Sequence, residues 1–343
     1  MKCIKKFFSI LSFLVLICAF SISVTAKDYK YNETKKIESI DISEIELYPG
    51  GVPFGVKIQT KGLYVVKFDD NNSPAKSAGI KLGDIIVRVN NKDVETIEDF
   101  SKEVNNAKTG IKITVKRNDT TVDYNVKPIY SKDDGKLKVG VWVKDATSGI
   151  GTITFINPYD NTFGGLGHGI CDGNTGCVIE MSKGLVYDAR IKGVNKGKIG
   201  SAGELKGVFD TKKIGALTKN SQCGVYGLLT EKIVTPESKM KICQKNQVKE
   251  GDAYIWCTLD ECGAQKYSVQ ICSIDYSNSG LKNFKVKITD PALLNKSGGI
   301  VQGMSGSPII QNGKLVGAVT HVMINDPTTG YGIFIENMLK SSK

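Results

Sequence analysis

The chain has 343 residues, of which 41% are hydrophobic and 24% charged, and its formal net charge is +11. This composition excludes a disordered tail protein, and the length is sufficient for two domains. Only two histidines are present, so we expect no histidine-rich metal site and no cofactor. No arginine-rich arm or aromatic–basic stripe is visible, so nucleic acid is not an expected partner.

The N-terminus has the pattern of an export signal. Three lysines precede an apolar run from Phe7 to Val24, and small residues follow at positions 24–26. A run of about 18 residues is at the border between a cleaved signal peptide and a retained membrane anchor, and both alternatives remain open. Residues 1–26 are therefore predicted to be a signal peptide or a single membrane helix. Basic residues beyond it would favour an anionic membrane surface.

Residues 27–49 are predicted to be a linker. The segment is charged and polar, with apolar residues at Ile37, Ile40, Ile42, Ile45 and Leu47 that could form a short helix or a strand. Exposed connectors of this kind are where proteolytic nicking concentrates.

Residues 50–130 have the pattern of a small α+β module. A glycine-rich turn leads into the strand Phe54–Ile58, and Thr96 is placed to cap a helix from Ile97 to about Asn106. The order Ser-Pro-Ala, Ala-Gly-Ile, Gly-Asp-Ile-Ile and Val-Asn, between Ser73 and Asn90, resembles a bacterial PDZ domain. The resemblance implies a peptide groove between that strand and that helix. Backbone amides of Phe54, Gly55 and Val56 would face the peptide carboxylate.

Residues 135–343 consist of many short apolar runs separated by glycine turns, which indicates a mainly β barrel or sandwich. The sharpest motif is Gly303-Met304-Ser305-Gly306-Ser307-Pro308, followed by an apolar hairpin with Asn312-Gly313 at its turn. Such a turn can direct the backbone amides of Gly303 and Ser305 at one point, as an oxyanion hole requires. The pattern resembles the nucleophile loop of chymotrypsin-like serine proteases.

A serine nucleophile needs a base, and the chain offers only His168 and His321. His168 lies among glycines in Gly164-Gly165-Leu166-Gly167-His168-Gly169, which would leave it accessible; without the serine motif, a histidine that satisfies a turn carbonyl would be the better interpretation. His321 follows the strand that lines the primary specificity pocket in chymotrypsin-like enzymes. It is a candidate contact for the substrate side chain preceding the scissile bond, or a structural histidine.

The base also needs an orienting group, usually a carboxylate. Sequence spacing alone does not choose among the candidates. These are Asp290, Asp172, Asp188 and Asp326.

Four segments of the chain together resemble the stage IV sporulation protein B peptidases of spore-forming Firmicutes. They are residues 141–152, 166–170, 289–291 and 298–308. The resemblance implies a chymotrypsin-like β-barrel domain with His168, Asp290 and Ser305 as the catalytic triad.

The same resemblance implies a membrane-associated enzyme in the space between forespore and mother cell. It would cleave itself within residues 27–49, with the PDZ groove holding that segment, and would then cleave a membrane-protein regulator of sigma-factor processing. The alternative is a non-catalytic exported scaffold with a PDZ groove. Seven cysteines follow the leader, without the C-x-x-C spacing of a zinc ribbon; buried thiols with one or two disulfides are expected.

Overall fold

The computed structural model describes residues 44–69, 72–118, 120–173 and 176–343. The predicted leader and residues 27–43 of the predicted linker lie outside the described residues, and the linker's last four residues, Glu46–Pro49, form a strand. Within the described ranges, no helix is both long enough and apolar enough to cross a membrane.

The described part of the chain is mainly β. Its first fourteen strands are β1 (Glu46–Pro49), β2 (Pro53–Phe68), β3 (Ile85–Val89), β4 (Lys92–Asp93), β5 (Ile111–Arg117), β6 (Thr120–Val126), β7 (Ile129–Ser131), β8 (Lys136–Lys138), β9 (Val141–Ile156), β10 (Thr162–Gly165), β11 (Met181–Asn195), β12 (Glu204–Ser221), β13 (Gly224–Leu229) and β14 (Met240–Lys241). The remaining six are β15 (Gly251–Thr258), β16 (Ala264–Cys272), β17 (Phe284–Ile288), β18 (Pro308–Gln311), β19 (Lys314–Met323) and β20 (Asp326–Phe334). The helices are α1 (Pro74–Ser77), α2 (Ile97–Asn105), α3 (Pro291–Ser297) and α4 (Ile335–Ser342), with one turn of 3₁₀ helix at Lys245–Gln247.

Six strands form the first barrel. They pair in the order β2, β9, β10, β13, β12 and β11, and β11 pairs with β2 to close the ring. The barrel is filled by large apolar side chains, among which the rings of Phe54 and Phe163 meet edge to face at 5.7 Å. Both phenylalanines are fully buried, so they anchor the core of this barrel.

The PDZ lobe (61–144) is inserted between the first and second strands of this barrel. Strands β2 and β9 have 16 residues each, about 50 Å at the usual rise per residue, which is longer than one barrel needs. Their far halves leave the barrel and join β3, β5 and β6 in a sheet covered by α2. The register of the β2–β9 pair shifts between Gln59 and Tyr64, where the strands pass from barrel to lobe.

The local predictions within the lobe are confirmed. Helix α2 begins at Ile97, and the side chain of Thr96 caps it by accepting a hydrogen bond from the Asp99 amide at 3.1 Å. The structure adds that residues 53–60, within the segment predicted as the PDZ domain, supply a strand of the first barrel. One strand therefore serves both the lobe and the barrel.

The second barrel is closed by β15, β16, β17, β20, β19 and β18 in that order. The rings of Phe284 and Phe334 meet in its core, 5.2 Å apart. The predicted Asn312-Gly313 hairpin is confirmed, since it joins β18 to β19 with φ of 51° and 72° at its two central residues. Positive φ at both positions is what a two-residue turn of this kind requires.

A long hairpin, β11–β12, extends from the first barrel onto the second. Its tip donates hydrogen bonds from the amides of Gly197 and Gly200 to the carbonyls of Ser297 and Ile324. Where β12 begins, the Leu205 amide bonds to the carbonyl of Gln302. The hairpin therefore supports the loop that carries Ser305.

Candidate active site

Ser305 lies in a tight loop, residues 301–307, at the junction of the two barrels. The loop depends on glycine at Gly303 and Gly306, whose φ angles are +95° and +98°. A Cβ at Gly306 would lie 2.0 Å from the carbonyl oxygen of Thr152 and 2.5 Å from the amide nitrogen of Leu166. No side chain fits there, so the serine-bearing loop of the second barrel rests directly on the backbone of the first.

The backbone amides of this loop divide into two groups. Those of Met304, Gly306 and Ser307 donate to the carbonyls of Val301, Val319 and Met304, at 3.1, 2.8 and 2.9 Å. The amides of Gly303 and Ser305 have no backbone acceptor among the described residues. These are the two amides predicted to form an oxyanion hole, and they remain available to a developing negative oxygen.

Thr152 on β9 holds the same loop from the first barrel, a role that the sequence reasoning missed. Its amide donates to the Ser305 carbonyl at 3.1 Å, and its Oγ1 donates to the Gly303 carbonyl at 2.9 Å. Thr152 thus fixes two carbonyls of the loop that carries the two free amides. The only sequence signal was the position of Thr152 at the end of the family-like segment 141–152.

The Ser305 hydroxyl donates a hydrogen bond of 2.5 Å to the carbonyl of Thr320. In this arrangement the hydroxyl proton points at a carbonyl oxygen, which is too weak a base to remove it. The oxygen becomes nucleophilic only when the hydroxyl rotates towards a base. The structure therefore shows Ser305 in a resting rotamer.

His168 is half-buried and follows β10 after two residues in the left-handed region, Leu166 and Gly167, with φ of 65° and 67°. Its Nδ1 lies 2.9 Å from the carbonyl oxygen of Gly169. A carbonyl only accepts, so Nδ1 carries the proton and Nε2 keeps the lone pair that a base requires. Burial lowers the pKa of His168, and the Gly169 carbonyl opposes this by favouring the protonated form, so the net shift keeps the ring neutral near pH 7.

His168 and Ser305 meet at one short segment of β19, Thr320–His321. A Cβ at Gly167 would lie 2.9 Å from the Thr320 methyl group, and Thr320 accepts the Ser305 proton. The imidazoles of His168 and His321 are 4.9 Å apart between centroids. The predicted nucleophile and base thus come together from different barrels.

The expectation that Asp290 orients His168 is not met in this structure. Asp290 caps helix α3, and its carboxylate accepts hydrogen bonds from the amides of Ala292, Leu293 and Ser268 at 2.9, 3.2 and 3.2 Å. Among the described residues no hydrogen bond links it to His168. A carboxylate directly before a proline-initiated helix is captured by that helix, because the first amides there have no other partner.

The three rival aspartates have other surroundings. Asp326 accepts from the hydroxyls of Thr328 and Thr329 at 2.6 and 2.7 Å. Asp188 lies on β11 opposite Phe54, and Asp172 acts electrostatically on Tyr64. The group that orients His168 therefore need not be one of these carboxylates. In this structure the acceptor for Nδ1 of His168 is the Gly169 carbonyl.

His321 packs against His168 with the ring planes tilted by 39°. Its Nδ1 is buried and has no hydrogen-bond partner among the described residues. Burial lowers the pKa of His321 to about 4, and the positive charges of His168 and Lys282 act in the same direction. Its predicted contact with a substrate side chain remains a prediction.

An open groove of about 720 Å³ begins beside the oxyanion amide of Gly303. Its walls are Ile150, Leu205, Val208 and Phe209, and the last two side chains are 46% and 40% exposed. An extended substrate bound at Ser305 would have space here for apolar side chains.

The predicted location of the PDZ groove is wrong. Phe54, Gly55 and Val56 lie in the first barrel and pair on one side with β11 and on the other with β9. A strand bonded on both edges cannot accept a peptide as a further strand. The glycine-rich turn does not distinguish the two cases, because the same turn can lead into a barrel strand or form a carboxylate-binding loop.

The structure instead places a groove of about 510 Å³ between α2 and the first residues of β9. Phe100 and Val104 line one wall and Val141–Val143 the other, with residues 136–140 at one end. Among the described strands, β2 alone pairs with β9 at Val141–Val143, so the opposite edge is open. Lys136 and Lys138 line one end of this groove; Lys138 is paired with Asp134, and Asp69 also lines the groove.

No cluster of three or more potential metal ligands from His, Cys, Asp and Glu occurs in the part of the chain that the structure describes. Cys243 and Cys257 are buried thiols, and burial raises the pKa of both.

Comparisons with known proteins give two family matches. Residues 50–127 match the PDZ domain family, and residues 135–339 match the SpoIVB peptidase S55 family. A putative zinc metalloprotease of Clostridium acetobutylicum is 42% identical over 71 residues, which are 20% of this chain and 21% of that protein. The chain thus matches only about a fifth of the length of that relative.

Two solved structures show partial likeness. The PDZ domain of the SdrC-like protein Lmo2051 from Listeria monocytogenes has 20% identity and a TM-score of 0.23, covering 26% of this chain and 93% of that one. The Rv3671c protease of M. tuberculosis in an inactive form has 14% identity and a TM-score of 0.32, covering 56% of this chain and 81% of that one. At these TM-scores the two structures give no information about the mechanism of this chain.

The S55 match spans more than half of the chain and includes His168, Asp290 and Ser305. Ser305 and His168 both lie beside the Thr320–His321 segment, and two amides are free beside the serine, which is the arrangement that a serine peptidase requires. The chain belongs to the SpoIVB peptidase S55 family.

Proposed function

We propose that this serine endopeptidase acts in sporulation signalling, first on its own N-terminal linker and then on a membrane-bound regulator of sigma-factor processing. The observation that carries the proposal is the S55 match over residues 135–339, joined in one chain to a peptide-binding lobe. The enzyme is exported by the leader at residues 1–26 and works at the forespore membrane, facing the mother cell.

The chemistry follows from the site. The Ser305 hydroxyl leaves the Thr320 carbonyl and turns to Nε2 of His168, which takes the proton as Oγ attacks the scissile carbonyl. The amides of Gly303 and Ser305 donate hydrogen bonds to the negative oxygen. His168 then passes its proton to the leaving amine, and a water molecule releases the acyl group by the same steps in reverse order.

The PDZ lobe contributes the peptide recognition. A peptide adds as a strand to the open edge of β9 at Val141–Val143, with apolar side chains against Phe100 and Val104 on α2. Its carboxylate meets the end of the groove at residues 136–140, where Lys136 supplies a positive charge. The ligands proposed for this groove are the chain's own cleaved linker and the later protein target.

The test is to incubate purified full-length wild type and Ser305→Ala and to identify all fragments by mass spectrometry. We expect cleavage within residues 27–49 in the wild type and none in the variant. Fragments of equal amount from both proteins would exclude self-cleavage by Ser305. An inert wild type that still binds a C-terminal peptide through the lobe would support the alternative, a non-catalytic exported scaffold.

A further inference from the structure

The groove that begins at Gly303 has an apolar wall supplied by the β11–β12 hairpin. Val208 and Phe209 on β12 line it, and their side chains are 46% and 40% exposed. The Phe209 ring is fixed against β2, since a Cβ at Gly55 would lie 2.7 Å from its Cδ1 atom. Two neighbouring large apolar side chains that are exposed at the edge of a serine-bearing loop are typical of a binding site.

The facing wall of the groove is strand β9 at Gly149 and Ile150. The Ile150 side chain fits beside the hairpin because position 207 is glycine, where a Cβ would overlap its Cδ1 atom. Strand β2 pairs with β9 here, with Gly55 opposite Ile150. Among the described strands, no other pairs with β9 before Ile153, so one edge of this part of β9 is open.

The hydrogen bonds of β9 show where this open edge points. The Ile153 amide donates to the Val52 carbonyl at 3.0 Å, so it faces the β2 side. The Thr152 amide donates to the Ser305 carbonyl and faces the serine loop. Backbone groups of alternate residues in a strand point to the same edge, and the β2–β9 register has no shift between Ile150 and Thr152. The amide and carbonyl of Ile150 therefore point to the edge that borders the serine loop.

The open edge at Ile150 offers a place for a substrate strand. Its amide and carbonyl have no backbone partner at this edge among the described residues. An extended peptide can pair with such an edge and exchange two hydrogen bonds with one residue. Side chains of that peptide would then lie in the groove against Val208 and Phe209.

The groove belongs to the side of the active site that receives the leaving group. His168 gives its proton to the leaving amine, and His168, β9 and the β11–β12 hairpin all belong to the first barrel. Leu166, two residues before the base, packs on β9 so closely that a Cβ at Gly151 would overlap it. The Thr320–His321 segment belongs to the second barrel and does not line the groove. The substrate chain after the scissile bond therefore has the groove in front of it.

We propose that Ile150, Val208 and Phe209 form the subsite for the substrate segment that follows the scissile bond. The subsite binds this segment as a strand on β9 and selects an apolar side chain within its first three residues. The inference rests on the serine-peptidase mechanism proposed above and adds a feature of the substrate to it. Glu204 and Lys206 also line the groove with opposite charges, so we expect no preference for a charged side chain.

The test is to digest a complex peptide mixture with the full-length protein and to identify the products by mass spectrometry. Residues before and after each cut are counted separately for wild type, Val208→Thr and Phe209→Ala, with Ser305→Ala as the blank. Each cleavage rate is divided by the same protein's rate of labelling with a fluorophosphonate probe that has no peptide portion. In the labelling reaction Ser305 Oγ forms a bond to phosphorus, fluoride leaves, and His168 takes the hydroxyl proton and returns it to water. Thermal unfolding confirms that each variant is folded.

We expect the wild type to cut peptides with leucine or isoleucine after the scissile bond about 10- to 100-fold faster than peptides with serine there. Phe209→Ala should reduce this preference by about 10-fold, and Val208→Thr, which keeps the shape but adds a hydroxyl, by less. The preference before the cut should be the same in all proteins. The matched control is Leu228→Thr, since Leu228 is 44% exposed on β13 of the same barrel but does not line the groove. It should keep the wild-type profile.

The pairing with Ile150 is tested on the substrate. Each amide that follows the scissile bond in the fastest-cut peptide is methylated in turn. Methylation of the one amide that donates to the Ile150 carbonyl should lower the rate by about 10-fold, because that hydrogen bond is lost. Equal rates for all methylated peptides would contradict the pairing.

Two results would overturn the proposal. One is an apolar preference after the cut that stays unchanged in both Val208→Thr and Phe209→Ala. The other is a change confined to the residues before the cut, which would place the groove on the acyl side. A folded wild type that is not labelled at all would instead contradict the serine mechanism. A labelled wild type without any apolar preference after the cut would contradict this inference alone.

Discussion

The two barrels differ in how far they are independent of the rest of the chain. The second barrel is closed by six strands of its own and carries Ser305. The first barrel carries His168, and its strands β2 and β9 continue beyond it into the PDZ lobe. Strand β9 therefore borders the groove beside α2 at Val141–Val143 and binds the serine loop at Thr152. The difference shows that the nucleophile is supplied by one barrel but held in place by the other.

The first way to break this arrangement is to separate the serine loop from the first barrel. A Gly306→Ala substitution puts a Cβ 2.0 Å from the Thr152 carbonyl at a φ of +98°. We expect labelling of Ser305 to fall more than about 100-fold and the free energy of unfolding to fall by at least about 3 kcal/mol. Fluorophosphonate labelling and urea unfolding measure both.

The matched control for this change is Gly313→Ala. Gly313 also has positive φ, +72°, but no atom lies within 4 Å of the added Cβ. It should cost about 1 kcal/mol and leave labelling unchanged. Equal losses in the two variants would mean that backbone strain, and not contact between the barrels, explains the effect.

The second prediction tests β9 as the support of the oxyanion loop. Thr152→Val keeps the side-chain shape but leaves the Gly303 carbonyl without its hydrogen bond. We expect a loss of stability of about 1–3 kcal/mol from the buried acceptor, and about a 10-fold loss of labelling because the free amides are less well fixed.

Thr258→Val is its control in the second barrel. Thr258 is also buried and donates at 3.0 Å to the Gly51 carbonyl. It should lose similar stability with no loss of labelling. If Thr152→Val labels as fast as Thr258→Val, the first barrel does not hold the oxyanion amides.

The third prediction concerns Asp290, which belongs to the second barrel alone. Asp290→Ala should lower the free energy of unfolding by about 1 kcal/mol, because the first amides of α3 lose their cap. Asp290→Asn should be nearly neutral, since asparagine caps equally well. Both should keep Ser305 labelling, which is the measurement that separates a helix cap from a catalytic carboxylate.

The last prediction concerns the dependence of stability on pH. The pKa of folded His321 is about 4, below its ordinary value of 6.5, so the unfolded chain binds a proton between these pH values that the folded chain does not. Stability is therefore lost as pH falls from 6.5 towards 4. His321→Phe removes this part of the loss. Tm measured at pH 7 and pH 4.5 should fall less in the variant than in the wild type, and an equal fall would contradict the low pKa.

The local elements of this protein were accessible from sequence. Thr96 marked the start of α2 and Asn312-Gly313 marked a hairpin, because caps and tight turns are set by a few neighbouring residues. The glycine turn around Ser305 was accessible for the same reason. The groove placed at Phe54–Val56 was wrong because it depended on which distant strands pair there, and the orienting role predicted for Asp290 depends on long-range contacts in the same way.

The sequence by itself determined which reactive groups this protein has. A serine in a glycine turn and a histidine among glycines are properties of short segments of the chain. Only the tertiary structure decided which groups meet. In the structure β2 serves both the first barrel and the PDZ lobe, and Asp290 caps helix α3. His321 of the second barrel lies against His168 of the first. The physical reason is that strand partners and side-chain neighbours far apart in sequence are selected by packing and closure of the whole sheet, which no local pattern records.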